Sequence, residues 1–305
     1  MIARMARWAL WFEMLLYGAL AVWMQSRGHD ALRIFALAVA IASLLRFVIT
    51  IGPFLTVLAL RVRDGKPLPA SFIMAIIGEY VAKSRSFTLW QPFESWLMPA
   101  DPAPVAAGPA PILLVHGYLC NRGSWLGMQR LLQARLPNPV HTISLEPAFT
   151  RIDDYVPQLE AKVAALLAAT GHSRVHLVCH SMGGLVARAW LVRSDGWRRT
   201  ASLTTLGSPH HGTELARFGL GHNVRQMVHG NAWLSALQKE EKSGPRRVPV
   251  MSVHTENDNL VYPPESADLP WAANIRIEGV GHVQLQSSVK AAELVAANIG
   301  KAALQ

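Results

Sequence analysis

A chain of 305 residues in which 51% of positions are hydrophobic and only 16% charged is too apolar, on average, for an ordinary soluble domain. Its formal net charge of +9 is spread over scattered basic residues with no Lys/Arg run interleaved with aromatics, which argues against a nucleic-acid partner and favours anionic lipid headgroups. The two cysteines, Cys120 and Cys179, exclude a disulfide scaffold and lack zinc spacing, so both are expected to be buried packing residues.

The apolar excess lies at the front, in Trp8 to Met24 and Ile34 to Leu60. The first run covers about 17 positions, near the lower limit for a spanning helix. Arg4 and Arg7 ahead of it also fit a signal peptide, but bulky Trp11, Phe12, Trp23 and Met24 and the lack of a small-x-small site argue against cleavage. The second run contains Arg46 and Pro53. An arginine at mid-membrane costs about 2.5–3.5 kcal/mol, so Arg46 is expected to snorkel or to face the partner helix. Residues 1–66 are thus expected to form a transmembrane helical hairpin that anchors the chain in a membrane. Arg4, Arg7, Arg61, Arg63 and Lys66 flank its ends, against Arg27 and Arg33 in its turn, which puts the rest of the chain in the cytoplasm by the positive-inside rule.

Residues 67–110 form a juxtamembrane segment and a linker. Ile73, Ile76, Ile77 and Val81 mix with Trp90, Phe93 and Trp96, a composition that suits either a membrane interface or packing on a folded domain. Pro99 to Pro111 is Pro/Ala-rich, a stiff connector. In residues 111–305, apolar strand candidates at Ile112–Val115, Val140–Leu145, Val175–Cys179, Ala201–Leu206, Val248–Val253 and Asn274–Ile277 alternate with helical patterns. Tyr155, Leu159, Val163, Leu166 and Leu167 make the clearest stripe. This alternation predicts an α/β domain with a mostly parallel sheet and helices on both faces.

The strongest chemical signal is Val175-His-Leu-Val-Cys-His-Ser181-Met-Gly-Gly184. An apolar strand runs into a serine and then into a helix-like segment, which stands the hydroxyl on a sharp turn above a helix N-terminus. Cys179 replaces the first glycine of the G-x-S-x-G pattern. A phosphate-binding turn is the competing reading, but the following Lys-Ser/Thr is missing.

Four segments in order, Ile112-Leu-Leu-Val-His-Gly117-Tyr118, His180-Ser-Met-Gly-Gly184, Thr205-Leu-Gly-Ser-Pro-His-His-Gly-Thr213 and Glu278-Gly-Val-Gly-His282, resemble the bacterial triacylglycerol lipase family of the α/β-hydrolase superfamily. They cover most of residues 111–305; the hairpin and residues 67–98 lie outside the likeness. The resemblance implies an α/β-hydrolase fold and a Ser–acid–His triad. Among twelve histidines it selects His282, in the loop after the last strand, as the base. His116 and His180 are expected to orient loops, and His210 and His211 to line the site without holding a metal. The resemblance places the acid at Asp258, which begins Asp258-Asn-Leu-Val, with Glu256 as rival and Asp268 as a distant third. The resemblance also implies that the oxyanion donors are the backbone N–H groups of Tyr118 and Met182. Val224, Met227, Val228, Leu234 and Leu237 in the insertion 214–245 either cover an acyl pocket or pack on the sheet.

The expected activity is hydrolysis of lipid-like carboxylic esters through an acyl-enzyme, with no cofactor and no metal. Acyl transfer to an alcohol and a catalytically inactive membrane-bound interaction module are the alternatives; the complete triad argues against the second. Since all four matching segments begin at Ile112, the hairpin is expected to anchor the enzyme without being part of its catalytic fold.

Overall fold

The computed structural model describes residues 1–103, 108–241 and 248–302. The middle of the Pro/Ala connector and the end of the insertion 214–245 lie outside the described residues.

Six strands form one parallel sheet: β1 (Ile112–Val115), β2 (Val140–Ile143), β3 (Val175–His180), β4 (Thr200–Leu206), β5 (Val250–Thr255) and β6 (Ala273–Ile277), in the spatial order β2-β1-β3-β4-β5-β6. Every expected strand is present, each within two residues of its expected ends. Pairing registers such as Val115 with Cys179 and Cys179 with Thr205 align the C-terminal ends of β1, β3 and β4, which brings the segments after them to one end of the sheet. β1 and β3 are buried throughout, as an apolar run covered on both faces requires.

The period-two alternation of β1 divides the core. Leu113 and Val115 face a cluster with Tyr155, Leu159 and Val163 of α6 (Ile152–Thr170) and Leu185, Val186 and Trp190 of α7 (Met182–Arg193). Ile112 and Leu114 face Met128 and Leu132 of α5 (Leu126–Gln133) and Ala292, Val295 and Ile299 of α10 (Val289–Ala302). Each fully buried large side chain contributes about 1.5–3 kcal/mol. Val224, Met227, Leu234 and Leu237, carried by α8 (His222–Gln226), α9 (Ala232–Glu240) and the turn between them, join the first cluster and so pack on the domain.

Ahead of this domain stand two helices long and apolar enough to cross a membrane, α1 (Ile2–Ser26) and α2 (Ala31–Arg63), with mean hydropathies of 1.2 and 2.5. Asp30 caps α2 by accepting from the Arg33 N–H at 2.9 Å. Arg46 faces the partner helix: its guanidinium donates to both Glu13 carboxylate oxygens at 2.7 and 3.0 Å. At about 50 Å, α2 is longer than the ~30 Å hydrocarbon core. Its lower end lies against the sheet domain, where Arg61 is buried and donates to Glu256 at 2.8 Å.

Between hairpin and sheet, α3 (Phe72–Arg85), a π-helical turn (Ser86–Trp90) and α4 (Glu94–Leu97) use their apolar residues partly for packing. Phe72 meets Phe54 of α2 edge-on at 5.3 Å, and Trp90 joins the second core cluster. Trp96 remains exposed.

Candidate active site

Ser181 sits between β3 and α7 with φ 53° and ψ −126°. Among the described residues three non-glycine residues have positive φ, and two of them, Leu119 and Ser181, line the same cavity. Such a backbone costs about 1–3 kcal/mol and needs neighbours that enforce it. The Ser181 N–H donates to the Leu206 carbonyl at 2.9 Å, tying the turn to β4. Gly183 lets α7 approach β1, because a Cβ there would stand 2.4 Å from the Val115 carbonyl oxygen. Cys179 is fully buried in β3, and burial pushes its thiol up; burial likewise pushes Cys120 up to about 12, so both are neutral packing groups.

His282 lies in the loop after β6. Its Nδ1–H donates to Asp258 Oδ2 at 2.8 Å, and both side chains are buried. The second carboxylate oxygen of Asp258 accepts from the N–H groups of Leu260 and Val261 at 2.8 and 2.7 Å. The carboxylate is thereby locked, and the imidazole presents Nε2 outward. Gly207, at φ 56°, forms the floor: a Cβ there would lie 3.2 Å from both Asp258 Oδ2 and His282 Nδ1. The rival acids are engaged elsewhere. Burial opposes the charge of Glu256, but Arg61 and Arg276 hold its carboxyl below the usual range. Asp268 lies 3.4 Å from His254.

The other histidines serve as supports. His116 donates from Nδ1 to the Gly117 carbonyl at 2.9 Å and accepts at Nε2 from the Leu145 N–H at 2.9 Å; burial lowers its pKa to about 4, so the ring is neutral. By gripping that carbonyl, His116 sets the plane of the 117–118 peptide and hence the direction of the Tyr118 N–H. The N–H groups of Tyr118 and Met182 are taken by no acceptor among the turn and loop hydrogen bonds of the described residues. His180 donates from Nε2 to the His282 carbonyl at 3.0 Å, steadying that loop. His210 bonds Thr205 Oγ1 at 3.0 Å, and no group of three metal-ligating side chains occurs among the described residues.

Two supports come from the segment that the sequence likeness leaves out. Glu79 of α3 is fully buried and accepts from the N–H groups of Val283 and Gln284 at 3.1 and 3.0 Å, immediately after His282. Gln91 accepts from the Asn121 N–H at 3.0 Å, and its carbonyl accepts from the Asn121 amide at 2.9 Å, bracing the loop that follows Tyr118. The sequence signal for Glu79 is a lone acid within the apolar run Ile76-Ile77-Gly78-Glu79-Tyr80-Val81. Ser181, His282 and Tyr118 open onto a single, mainly apolar cavity of about 1150 Å³.

Residues 149–274 match the family described as PGAP1-like alpha/beta domain. A triacylglycerol lipase from Burkholderia plantarii is 37% identical over 135 residues, which is 40% of this chain and 37% of that protein. Mature lipase BlEst2 from Bacillus licheniformis superposes with a TM-score of 0.53 at 21% identity, covering 63% of this chain and 90% of that one. The chain has an α/β-hydrolase fold and is similar to lipases over part of its length. Human lysosomal thioesterase PPT2 is also similar to this chain, 29% identical over 156 residues that make up 48% of the chain and 45% of that protein. The chain spans less than half the length of these curated relatives.

Proposed function

We propose that this hydrolase is a membrane-anchored serine esterase that cleaves lipid-like carboxylic esters through an acyl-enzyme. The observation that carries the reading is the 2.8 Å Asp258–His282 pair, whose imidazole shares one cavity with a serine on a strained strand-to-helix turn. Ser181 Oγ attacks the acyl carbonyl carbon while His282 Nε2 takes its proton. Asp258 keeps the proton on Nδ1 and stabilises the imidazolium. The tetrahedral oxyanion accepts from the Tyr118 and Met182 N–H groups, the second at the positive end of α7. Collapse breaks the acyl–oxygen bond, and His282 protonates the departing alcohol. Water, deprotonated by His282, then attacks the acyl-enzyme and releases the acid and Ser181.

The cavity's apolar lining and the lipase and thioesterase names of the relatives support an acyl group as the recognised part. An alcohol in place of water in the second half-reaction gives acyl transfer by the same residues, and excess alcohol in the assay reveals it. Anchoring is supported by the hairpin's contacts with the hydrolase at both ends: Arg7 donates to the Pro92 carbonyl at 2.7 Å, and Lys66 pairs with Glu265 at 2.9 Å. The Glu13–Arg46 pair leaves neither charge alone in lipid, which supports α1 as a retained helix. The flanking cations favour the cytoplasmic side for the hydrolase. A set of p-nitrophenyl esters of increasing chain length tests the reading: the rate should rise from acetate toward longer acyl groups and disappear in Ser181→Ala. Hydrolysis that survives in Ser181→Ala overturns it.

A further inference from the structure

The cavity at Ser181 extends beyond the catalytic domain. Leu10 and Leu16 of α1, and Leu45, Ile49 and Gly52 of α2, line the same space as Ser181 and His282. Along α2 the lining runs from Ile41 to Thr56, a stretch of about 22 Å at 1.5 Å per residue. One leaflet's share of the ~30 Å hydrocarbon core, the depth that a lipid tail fills, is shorter than that. The volume of about 1150 Å³ also exceeds the range of sites built for small ligands.

Three properties of this groove select its occupant. Its walls are mainly apolar, and the Lys, Arg and Glu side chains that line it are paired within the protein, Glu13 with Arg46 at 2.7 Å and Lys83 with Glu79 at 3.7 Å. A charged headgroup therefore finds no counter-ion there, whereas a hydrocarbon chain loses nothing. The groove is open along its side, since Leu16, Leu45 and Ile49 line it yet are 54%, 45% and 60% exposed. These exposed faces belong to helices whose outer surfaces are those of a membrane span, so the opening looks into the acyl region of a bilayer rather than into water. At its inner end the groove reaches the serine.

We propose that the groove between α1 and α2 is the acyl-chain site: a membrane lipid slides in sideways from the bilayer, its tail along the hairpin and its ester carbonyl at Ser181. The inference rests on Ser181 being the nucleophile and adds to that reading a substrate class, a long-chain lipid taken directly from the membrane. The hairpin is then part of the binding site as well as an anchor. The competing path for the tail is the opposite wall, where Val224 and Met227 also face the cavity.

The full chain in lipid nanodiscs provides the test. A Cβ at Gly52 meets nothing within 4 Å, so Gly52→Trp grows an indole into the groove without displacing backbone. Its palmitate-to-butyrate ratio of kcat/KM for the p-nitrophenyl esters should fall about tenfold or more, because only the long tail uses the groove. Val48→Trp, at an exposed position of the same helix that does not line the cavity, should leave the palmitate-to-butyrate ratio unchanged. An unchanged ratio in Gly52→Trp, including an equal loss of both activities, overturns the proposal. A second measurement avoids mutation: a long alkyl fluorophosphonate with a diazirine at its chain end is attached to Ser181 and photolysed. Crosslinks to peptides from residues 6–20 or 41–56 support the groove, and crosslinks confined to residues 215–228 overturn it while leaving the nucleophile intact. Failure of the probe to attach to Ser181 removes the catalytic reading, and the proposal with it.

Discussion

Replacing Glu79 should damage both stability and turnover, although it lies far from Ser181 in sequence and belongs to a segment outside the recognisable motifs. Its fully buried carboxylate accepts from two consecutive N–H groups at 3.1 and 3.0 Å and has the mostly buried Lys83 ammonium at 3.7 Å. A hydrogen bond to a charged group contributes about 1.5–3 kcal/mol, and removing one partner of a buried ion pair costs about 3–5 kcal/mol because the other charge is left uncompensated. Glu79→Ala should therefore destabilise the protein by about 3–5 kcal/mol. Glu79→Gln, which keeps the shape and one acceptor oxygen, should cost about 1.5–3 kcal/mol. Because the two N–H groups directly follow His282, the loop that carries this histidine should loosen. A misplacement of about 1 Å at a reacting group costs on the order of a hundredfold in rate. The assay is hydrolysis of a short ester by the full chain in detergent, with urea unfolding of the same samples. A positioning residue lowers kcat and leaves KM nearly unchanged, whereas a residue that merely supports the fold reduces the active fraction without altering the kcat of what remains folded. A Glu79→Gln variant within about twofold of wild-type kcat and about 0.5 kcal/mol of its stability would refute this reasoning.

Asp258→Asn should lower kcat by about 10⁴ through the wrong imidazole tautomer, while Glu256→Gln, whose carboxylate is held by Arg61 and Arg276, should cost little; steady-state kinetics with the reverse ranking would move the acid to Glu256. Burial lowers the pKa values of His116 and His176 to about 4 from 6.5, so between those values the unfolded chain binds more protons than the folded one. Their contribution is complete above pH 6.5 and is lost as pH falls toward 4; a urea midpoint that rises as pH is lowered from 6.5 to 4 would contradict the assignment. Removing residues 1–66 should leave a chain that hydrolyses a short ester, whereas removing residues 1–107 should abolish activity, since Glu79 and Gln91 depart with the segment; equal activity of the two truncated chains, measured on the same ester, would show these braces to be dispensable.

The sheet was legible because parallel strands buried on both faces must be continuous apolar runs, and Leu-Leu-Val at 113–115 and Val-His-Leu-Val-Cys at 175–179 are of that kind. The neighbourhood of Ser181, Asp258 and His282 was legible for a related reason: each follows a strand at the same edge of the sheet, where motif and topology coincide. The role of residues 67–98 was not. Their Ile and Trp residues fit a membrane interface as well as a protein core, and only three-dimensional packing brings Glu79 to the loop after His282 and Gln91 to Asn121. The Pro/Ala stretch marks where the sequence resemblance begins, whereas the packing that frames the cavity begins earlier, with the hairpin itself. Arg46 was ambiguous for the same reason, since a sequence does not say which residue of another helix will meet it; Glu13 does.

The central claim is that Ser181 is the nucleophile, made so by His282 and Asp258. Labelling the full chain with a fluorophosphonate probe and mapping the adduct by peptide mass spectrometry tests this most directly, because the reagent reports an activated hydroxyl without requiring the natural substrate. The account predicts one adduct, on Ser181, absent in Ser181→Ala and slowed by orders of magnitude in Asp258→Asn, with ester hydrolysis lost in parallel. An adduct on another residue, or an unlabelled Ser181 in a preparation that still hydrolyses esters, would contradict it.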